Sequence, residues 1–251
     1  MLKRLTLYIS FFALVNADNY SLKFDGEDDF VNAPWPGNLG VNFTITAFFN
    51  SSSADVGGIL ENGYSFTQNG FVIRKYSDNK IRLNWGGSSI SSSTSIDPNT
   101  WYHVAISGDM NSVKLYLNGV LEAETNRSNI AFGSSDYGFK FGIGNHYDAD
   151  GEYFNGKIDE VSMWNIALDE YQIQASASSS LLGDEFGLVG YYNFNEGSGS
   201  ILLDHSGNNN HGIINGAEWS DDVPSLDPPD DPNVIDGFTF VGDHNGHRYY
   251  I

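Results

Sequence analysis

The sequence contains no cysteine. That absence excludes zinc–thiolate sites, cysteine nucleophiles and disulfide staples. An exported chain of this kind must draw its stability from core size or from bound metal. Positive charge is the second scarcity: 12 Lys and Arg stand against 32 Asp and Glu, a formal charge of −20. Such a surface repels nucleic acid and anionic lipid and attracts divalent cations, although solubility alone accounts for much of it. Catalytic signatures are also missing. There is no Gly-x-Ser-x-Gly elbow and no phosphate-binding glycine loop. The main apolar run, Leu5 to Val15, is too short to span a bilayer.

That run reads instead as the centre of a secretory leader. Lys3 and Arg4 precede it, and Val15-Asn16-Ala17 gives a small-residue cleavage site, so residues 1–17 are expected to be removed. The leader carries two of the 12 bases and none of the 32 acids, which takes the mature charge from −20 to −22. The address this implies is secreted or cell-surface.

What remains is rich in aromatics, 14% of the chain, enough for a core and against wholesale disorder. Apolar and polar residues alternate in Tyr20–Phe24, Phe43–Phe49, Gly70–Tyr76, Lys80–Gly86, Trp101–Ser107 and Val113–Asn118. Turn residues separate these runs about every ten positions. Ser77-Asp78-Asn79 and Gly108 to Ser112 read as hairpin connections, and Asn118-Gly119 as a tight turn. Ser88 to Ser95 reads as a polar edge strand or a loop.

The organising stretch is Glu152 to Ile173. It alternates from Ile158 to Trp164 as a strand. Alternation places Asp159 on the face of Val161 and Met163, with Ile158 and Trp164 opposite, and points Asp159 and Glu160 to opposite faces. The period then changes to that of a short helix over Asp169 to Gln174, with Asp169 as N-cap and Gln172 closing a capping box. One helix among many strands predicts an all-β, two-sheet antiparallel jelly-roll sandwich over residues 18–220. Residues 221–236 are acidic and proline-rich and read as a linker without regular structure. Residues 237–251 open a new aromatic strand pair and stop, which reads as the truncated start of a second domain.

Several stretches together resemble a laminin-G-like domain of the concanavalin A-like lectin/glucanase superfamily: FDGEDDFV, WYHVAISGD with VKLYLNG, FNGKIDEVSMWNIAL, and GLVGYYNFNEGSG with LLDHSGNNNHG. They occur in the family's order across residues 20 to 219. FTFVGDHNGHRYYI is similar to the opening of a C-type-lectin-like domain. The resemblance implies an extracellular, non-catalytic binding or adhesion module whose partner is carbohydrate or extracellular protein. It would sit beside other domains of one longer chain.

The fold also hosts glycosidases, lyases and plain structural spacers, so the site must be argued from residues. A retaining glycosidase needs paired carboxyls about 5–5.5 Å apart. The superfamily's glucanases carry Glu-x-Asp-x-Glu or a near variant, and no such run is present here. His103 reads as structural, and His205 and His211 as loop residues.

Positive signals favour binding. The turn crowds three like charges, Asp25, Asp28 and Asp29, and Asp159 lies at the entry of an apolar face where an unpaired carboxylate is costly. In the family these two segments lie close together, which implies a Ca2+ ion bridging Asp25, Gly26, Asp28 and Asp159; the alternative is that Asp159 hydrogen-bonds backbone amides. Asp148 and Asp150 form a second candidate at the rim. His146, Tyr147, Tyr153 and Trp85 could stack on sugar rings. Equally, Trp85 continues the Ile81–Leu83 face into the core.

Overall fold

The computed structural model describes residues 19–36, 39–52, 56–63, 70–126, 138–144, 152–226, 234–235, 238–244 and 247–250. In chain order the strands are β1 (Ser21–Asp25), β2 (Phe30–Ala33), β3 (Phe43–Ser51), β4 (Gly57–Asn62), β5 (Phe71–Lys75), β6 (Ile81–Trp85) and β7 (Ser88–Ser91). They continue as β8 (Trp101–Gly108), β9 (Ser112–Leu117), β10 (Val120–Asn126), β11 (Phe139–Phe141), β12 (Ile143–Gly144), β13 (Glu152–Tyr153) and β14 (Asn155–Trp164). Helix α1 (Glu170–Ser176) follows, then β15 (Leu188–Tyr192), β16 (Ile201–Leu202), β17 (Gly212–Asn215), β18 (Glu218–Ser220), β19 (Val234–Ile235), β20 (Phe238–His244) and β21 (His247–Tyr250).

Two sheets of 8 strands face each other among the described residues. The first runs β10-β9-β8-β3-β14-β1-β18, with β15 also on β14. The second runs β16-β17-β2-β11-β4-β5-β6-β7. All their pairings are antiparallel. This is the expected jelly-roll sandwich. The core between the sheets is built from alternate positions: Phe43, Ile45, Ala47 and Phe49 of β3 meet Leu60, Phe71, Ile73, Leu83 and Phe141 from the opposite sheet. Burying one face of each strand is what fixes register, since a one-residue slip would turn that face to solvent.

The local signals produced the expected turns. Asn118 and Gly119 both have positive φ, 50° and 75°, as a two-residue hairpin between β9 and β10 requires. Asp109 accepts hydrogen bonds from the amides of Asn111 (2.7 Å) and Ser112 (2.9 Å) and closes the β8–β9 turn. The capping box forms as read: Asp169 accepts from the Gln172 amide at 2.9 Å, and Gln172 accepts from the Asp169 amide at 3.0 Å. The serine-rich run supplies β7, the edge of the second sheet.

Two expectations change. Alternation along β14 breaks at a β-bulge between Asp159 and Ser162. Glu160 takes φ +49° there, a conformation uncommon for a non-glycine residue. An inserted residue shifts the parity of all that follows. Ile158 therefore joins Val161 and Met163 in the core, while Asp159 lies on the other side. The second change is at the domain's end. Asp222, expected in the linker, is tied to the first sheet. It accepts from Trp101 Nε1 (3.0 Å) and Lys157 Nζ (2.7 Å), and its carbonyl accepts from Ser21 Oγ (2.8 Å). β19 adds a short strand inside the expected linker and joins β20 and β21 in a three-stranded sheet. The leader lies outside the described residues.

Candidate functional site

The second sheet turns one face to the core and the other outward. Cross-strand partners share a face, so register alone assembles the outward row: Ile213, Asn32, Lys140, Glu61, Val72, Asn84 and Ser89, one from each of seven neighbouring strands. A second row alongside it pairs Gly58 with Arg74, Arg74 with Arg82, and Arg82 with Ser91. In a chain this acidic, three cations on one sheet face are a local concentration.

Much of this polar face is buried, including Glu61, Arg74 and Lys140. Burial pushes the Lys140 amine below its ordinary range, and the neighbouring Glu61 charge opposes that. Arg74 forms an ion pair with Glu152 of β13. Arg82 forms one with Asp78 and lies within 3.4 Å of Ser91 Oγ through Nε. Both guanidiniums cover the Tyr76 ring, Arg74 at 5.5 Å and Arg82 at 4.0 Å from its centroid. A guanidinium stacked on an aromatic ring is held flat and oriented. The buried Asn84 Oδ1 has no hydrogen-bond partner among the described residues. Such an acceptor costs free energy until something donates to it. The face thus holds donors and acceptors side by side, buried at Glu61, Arg74 and Lys140 and partly exposed at Arg82 and Asn84.

Of the residues singled out in the sequence, Tyr153 lies half-buried on β13 next to Glu152. His146, Tyr147, Asp148 and Asp150 fall between β12 and β13, outside the described residues. Trp85 is not a surface stacking platform. It is 1% exposed and packs in the core, because β6 presents Ile81, Leu83 and Trp85 inward and Arg82 and Asn84 outward.

The acidic turn is brought together in part. Carboxylate oxygens of Asp25, Asp28 and Asp29 lie within 4.8 Å of one another. Asp25 Oδ1 accepts from the Glu27 amide at 2.8 Å, and Asp29 Oδ2 from the Asp25 amide at 2.9 Å. A cavity of about 180 Å³ beside them is lined by Lys23, Asp25, Asp29, Gly216 and Glu218. Burial holds the Asp29 carboxyl above its ordinary range. The Asp25 amide opposes this, and the Asp25, Asp28 and Glu218 charges add to it. Gly26, at φ +86°, packs against Asn155; a Cβ there would meet Asn155 Cβ at 2.8 Å.

Asp159 does not join this turn. Asp25 pairs with Asn155, and Asp159 lies four residues further along β14, roughly 13 Å away at strand rise. Asp29 takes the third place that was expected of it. Asp159 is fully buried, and its Oδ1 accepts from the Glu160 amide at 2.8 Å.

The sequence reading missed Asn32, Lys140, Glu61, Arg74, Arg82 and Asn84. The signal was present: the hairpin about residues 77–79 forces Arg74 opposite Arg82 and Val72 opposite Asn84.

With this geometry in hand, comparison with known proteins is informative. The model of the concanavalin A-like lectin/glucanases superfamily matches residues 25–174. No curated protein sequence matches the chain. Among solved structures, the chain is similar to a candidate carbohydrate-binding protein from Bacteroides ovatus, with TM-score 0.67 and 22% identity. The likeness covers 80% of this chain and 59% of that one, so the chain spans well under two thirds of that protein's length. It is also similar to the CBM40 module of the Ruminococcus gnavus IT-sialidase bound to α2,3-sialyllactose, with TM-score 0.51 and 15% identity over 63% of this chain and 96% of that one. At such identities these likenesses bear on the fold.

Proposed function

Because the chain belongs to the concanavalin A-like lectin/glucanases superfamily, we propose that it is a non-catalytic carbohydrate-binding module whose ligand lies on the outward face of the second sheet. The observation that carries this reading is the cross-strand row Asn32–Lys140–Glu61–Val72–Asn84 with Arg74 and Arg82 beside it. Sugars are bound by planar sets of oriented polar groups, and a sheet face fixes such a set without loop ordering. The carbohydrate-binding names of the neighbours in Bacteroides ovatus and Ruminococcus gnavus support it. Binding without turnover is the economical reading of Asp159 and Glu160, because both carboxyls are buried and hydrogen-bonded within the chain.

Calcium belongs to the same proposal. Asp25, Asp28 and Asp29 supply converging carboxylates, and the Gly26 carbonyl is the further ligand expected of this turn. A hard cation with six to eight oxygen ligands would relieve their mutual repulsion. The module acts outside the cell, where such an ion is plentiful.

The test is a glycan array probed with the exported chain, with calcium and with chelator, alongside an assay for released sugar. Retention of a glycan without product release is the expected result. Product release would move the assignment to an enzyme. Silence towards every glycan under both conditions would move it to a spacer or a protein-binding repeat.

A further inference from the structure

The outward face of the first sheet holds a different kind of buried group. The β14 bulge brings Asp159 and Glu160 to one side of the sheet, beneath the strap of residues 177–187 that joins α1 to β15. Glu160 is the hub of the contacts there. Tyr191 Oη donates to Glu160 Oε2 at 2.6 Å, Ser180 Oγ donates to Oε1 at 2.9 Å, and the Leu181 amide donates to Tyr191 Oη at 3.3 Å. Ser180 and Leu181 belong to the strap. The strap and α1 form the walls of an apolar groove of about 360 Å³ with Trp164 and Leu168 in its lining and Leu182 and Phe186 at its exposed edge.

The groups facing Glu160 carry no compensating cation among the described residues. Asp159 comes from its own strand, Glu185 from the strap and Tyr191 from β15. Behind Tyr191 stand Asp204, which accepts from the Tyr191 amide at 3.0 Å, and His205, whose ring centroid is 6.2 Å from the tyrosine ring. On the helix side, His103 lies 3.5 Å from Ser176 Oγ, and burial makes it a neutral imidazole.

We propose that Glu160 is a proton-operated latch: with its carboxyl protonated the strap is held closed on the first sheet, and loss of that proton loosens the strap and uncovers the groove at Trp164. The geometry gives the direction. A carboxylate formed here is desolvated and lies beside Asp159 and Glu185, whereas the same carboxylate in a released strap is hydrated and free of them. Burial accordingly pushes Glu160 up to about 7, against the two hydroxyl donors. Asp159 is raised well above its ordinary range by burial and by the Glu160 charge. Opening therefore releases a proton between the ordinary carboxyl range and about pH 7. Across that window the opening equilibrium rises with pH, and above it the equilibrium is flat.

Hydrogen exchange of the full chain reads this directly. Protection factors for amides of residues 178–186 should fall from pH 5 to pH 7, by up to about tenfold per pH unit for one linked proton, and level off above. Amides of β3 serve as the internal reference. Glu160→Gln, which cannot ionise, should flatten the profile. Should that variant fail to fold, Tyr191→Phe removes a donor to the carboxylate and should move the fall to higher pH. Wild-type protection that is unchanged between pH 5 and 7, or a Glu160→Gln profile equal to wild type, overturns the latch.

Discussion

The two sheets bury polar groups on their outward faces in opposite ways. On the first, Asp159, Glu160 and His103 lie under a helix and a strap, and their partners are neighbouring hydroxyls and amides of the same chain. On the second, Arg74 pairs with Glu152 of β13 and Arg82 with Asp78 of the turn before β6, and each pair has a partly exposed partner: Glu152 is 29% exposed and Arg82 30%. One face is closed by its own covering. On the other, Glu61, Arg74 and Lys140 are buried as well, and Arg82 and Asn84 are the polar groups partly exposed beside them. In the proposed function the first sheet's outer face is structural and the second sheet's is the one that recognises a ligand.

Substitutions can sharpen that contrast. The largest effect is expected at Trp85, which belongs to the core between the faces. Trp85→Ala should cost about 3–5 kcal/mol of stability, seen as a large drop in the denaturant midpoint. If stability held and only glycan retention fell, Trp85 would belong to the binding face after all.

Tyr191→Phe comes next. It takes a donor from a buried carboxyl and should cost about 1–3 kcal/mol, while leaving glycan binding unchanged because the first sheet is the structural one. The cap of the covering helix is smaller again: Asp169→Ala should cost about 1 kcal/mol, and a variant as stable as wild type would show that α1 does not hold the cover down. Arg82→Ala should change stability least, by about 1 kcal/mol or less, because its ion pair is half-exposed. It should nonetheless remove most glycan retention.

Acidity should divide the two buried groups of the first sheet by sign. His103 is held down to about 3 by burial, so the unfolded chain binds its proton first, and stability falls as pH drops below about 6.5. Glu160 is raised to about 7, so its contribution is present at acid pH and is lost as pH rises through 7. His103→Leu should remove the part of the acid limb that lies between about pH 6.5 and the carboxyl range, below which protonation of Asp204, Asp222 and Glu122 lowers stability in either chain. A curve with its acid limb intact in that variant would place the titrating group elsewhere.

The sandwich was legible because half-buried strands write a period of two, and because Asn118-Gly119 and the Asp169–Gln172 pair are local signals that tertiary contacts did not override. The bulge at Glu160 was not legible. Nothing in Ile-Asp-Glu-Val announces an inserted residue, so the faces of Ile158 and Asp159 came out reversed, while Trp164 lies opposite Val161 and Met163 as read. The calcium expectation failed at Asp159 for a related reason. Proximity in the sequence pattern says nothing about position along a strand, and pairing of Asp25 with Asn155 leaves Asp159 a full strand segment away. The proposed binding face is a product of cross-strand register. Lys140 and Glu61 are 79 positions apart and meet only because β11 pairs with β4.

The central claim is that the outward face of the second sheet binds carbohydrate. Calorimetric titration of the best array glycan into wild type, Asn84→Ala and Arg82→Ala tests it most directly, with thermal melts run in parallel. The account predicts at least a tenfold weaker affinity for both variants, about 1.4 kcal/mol each, at nearly unchanged melting temperature. Wild-type affinity in both variants would contradict it and move the site off this face.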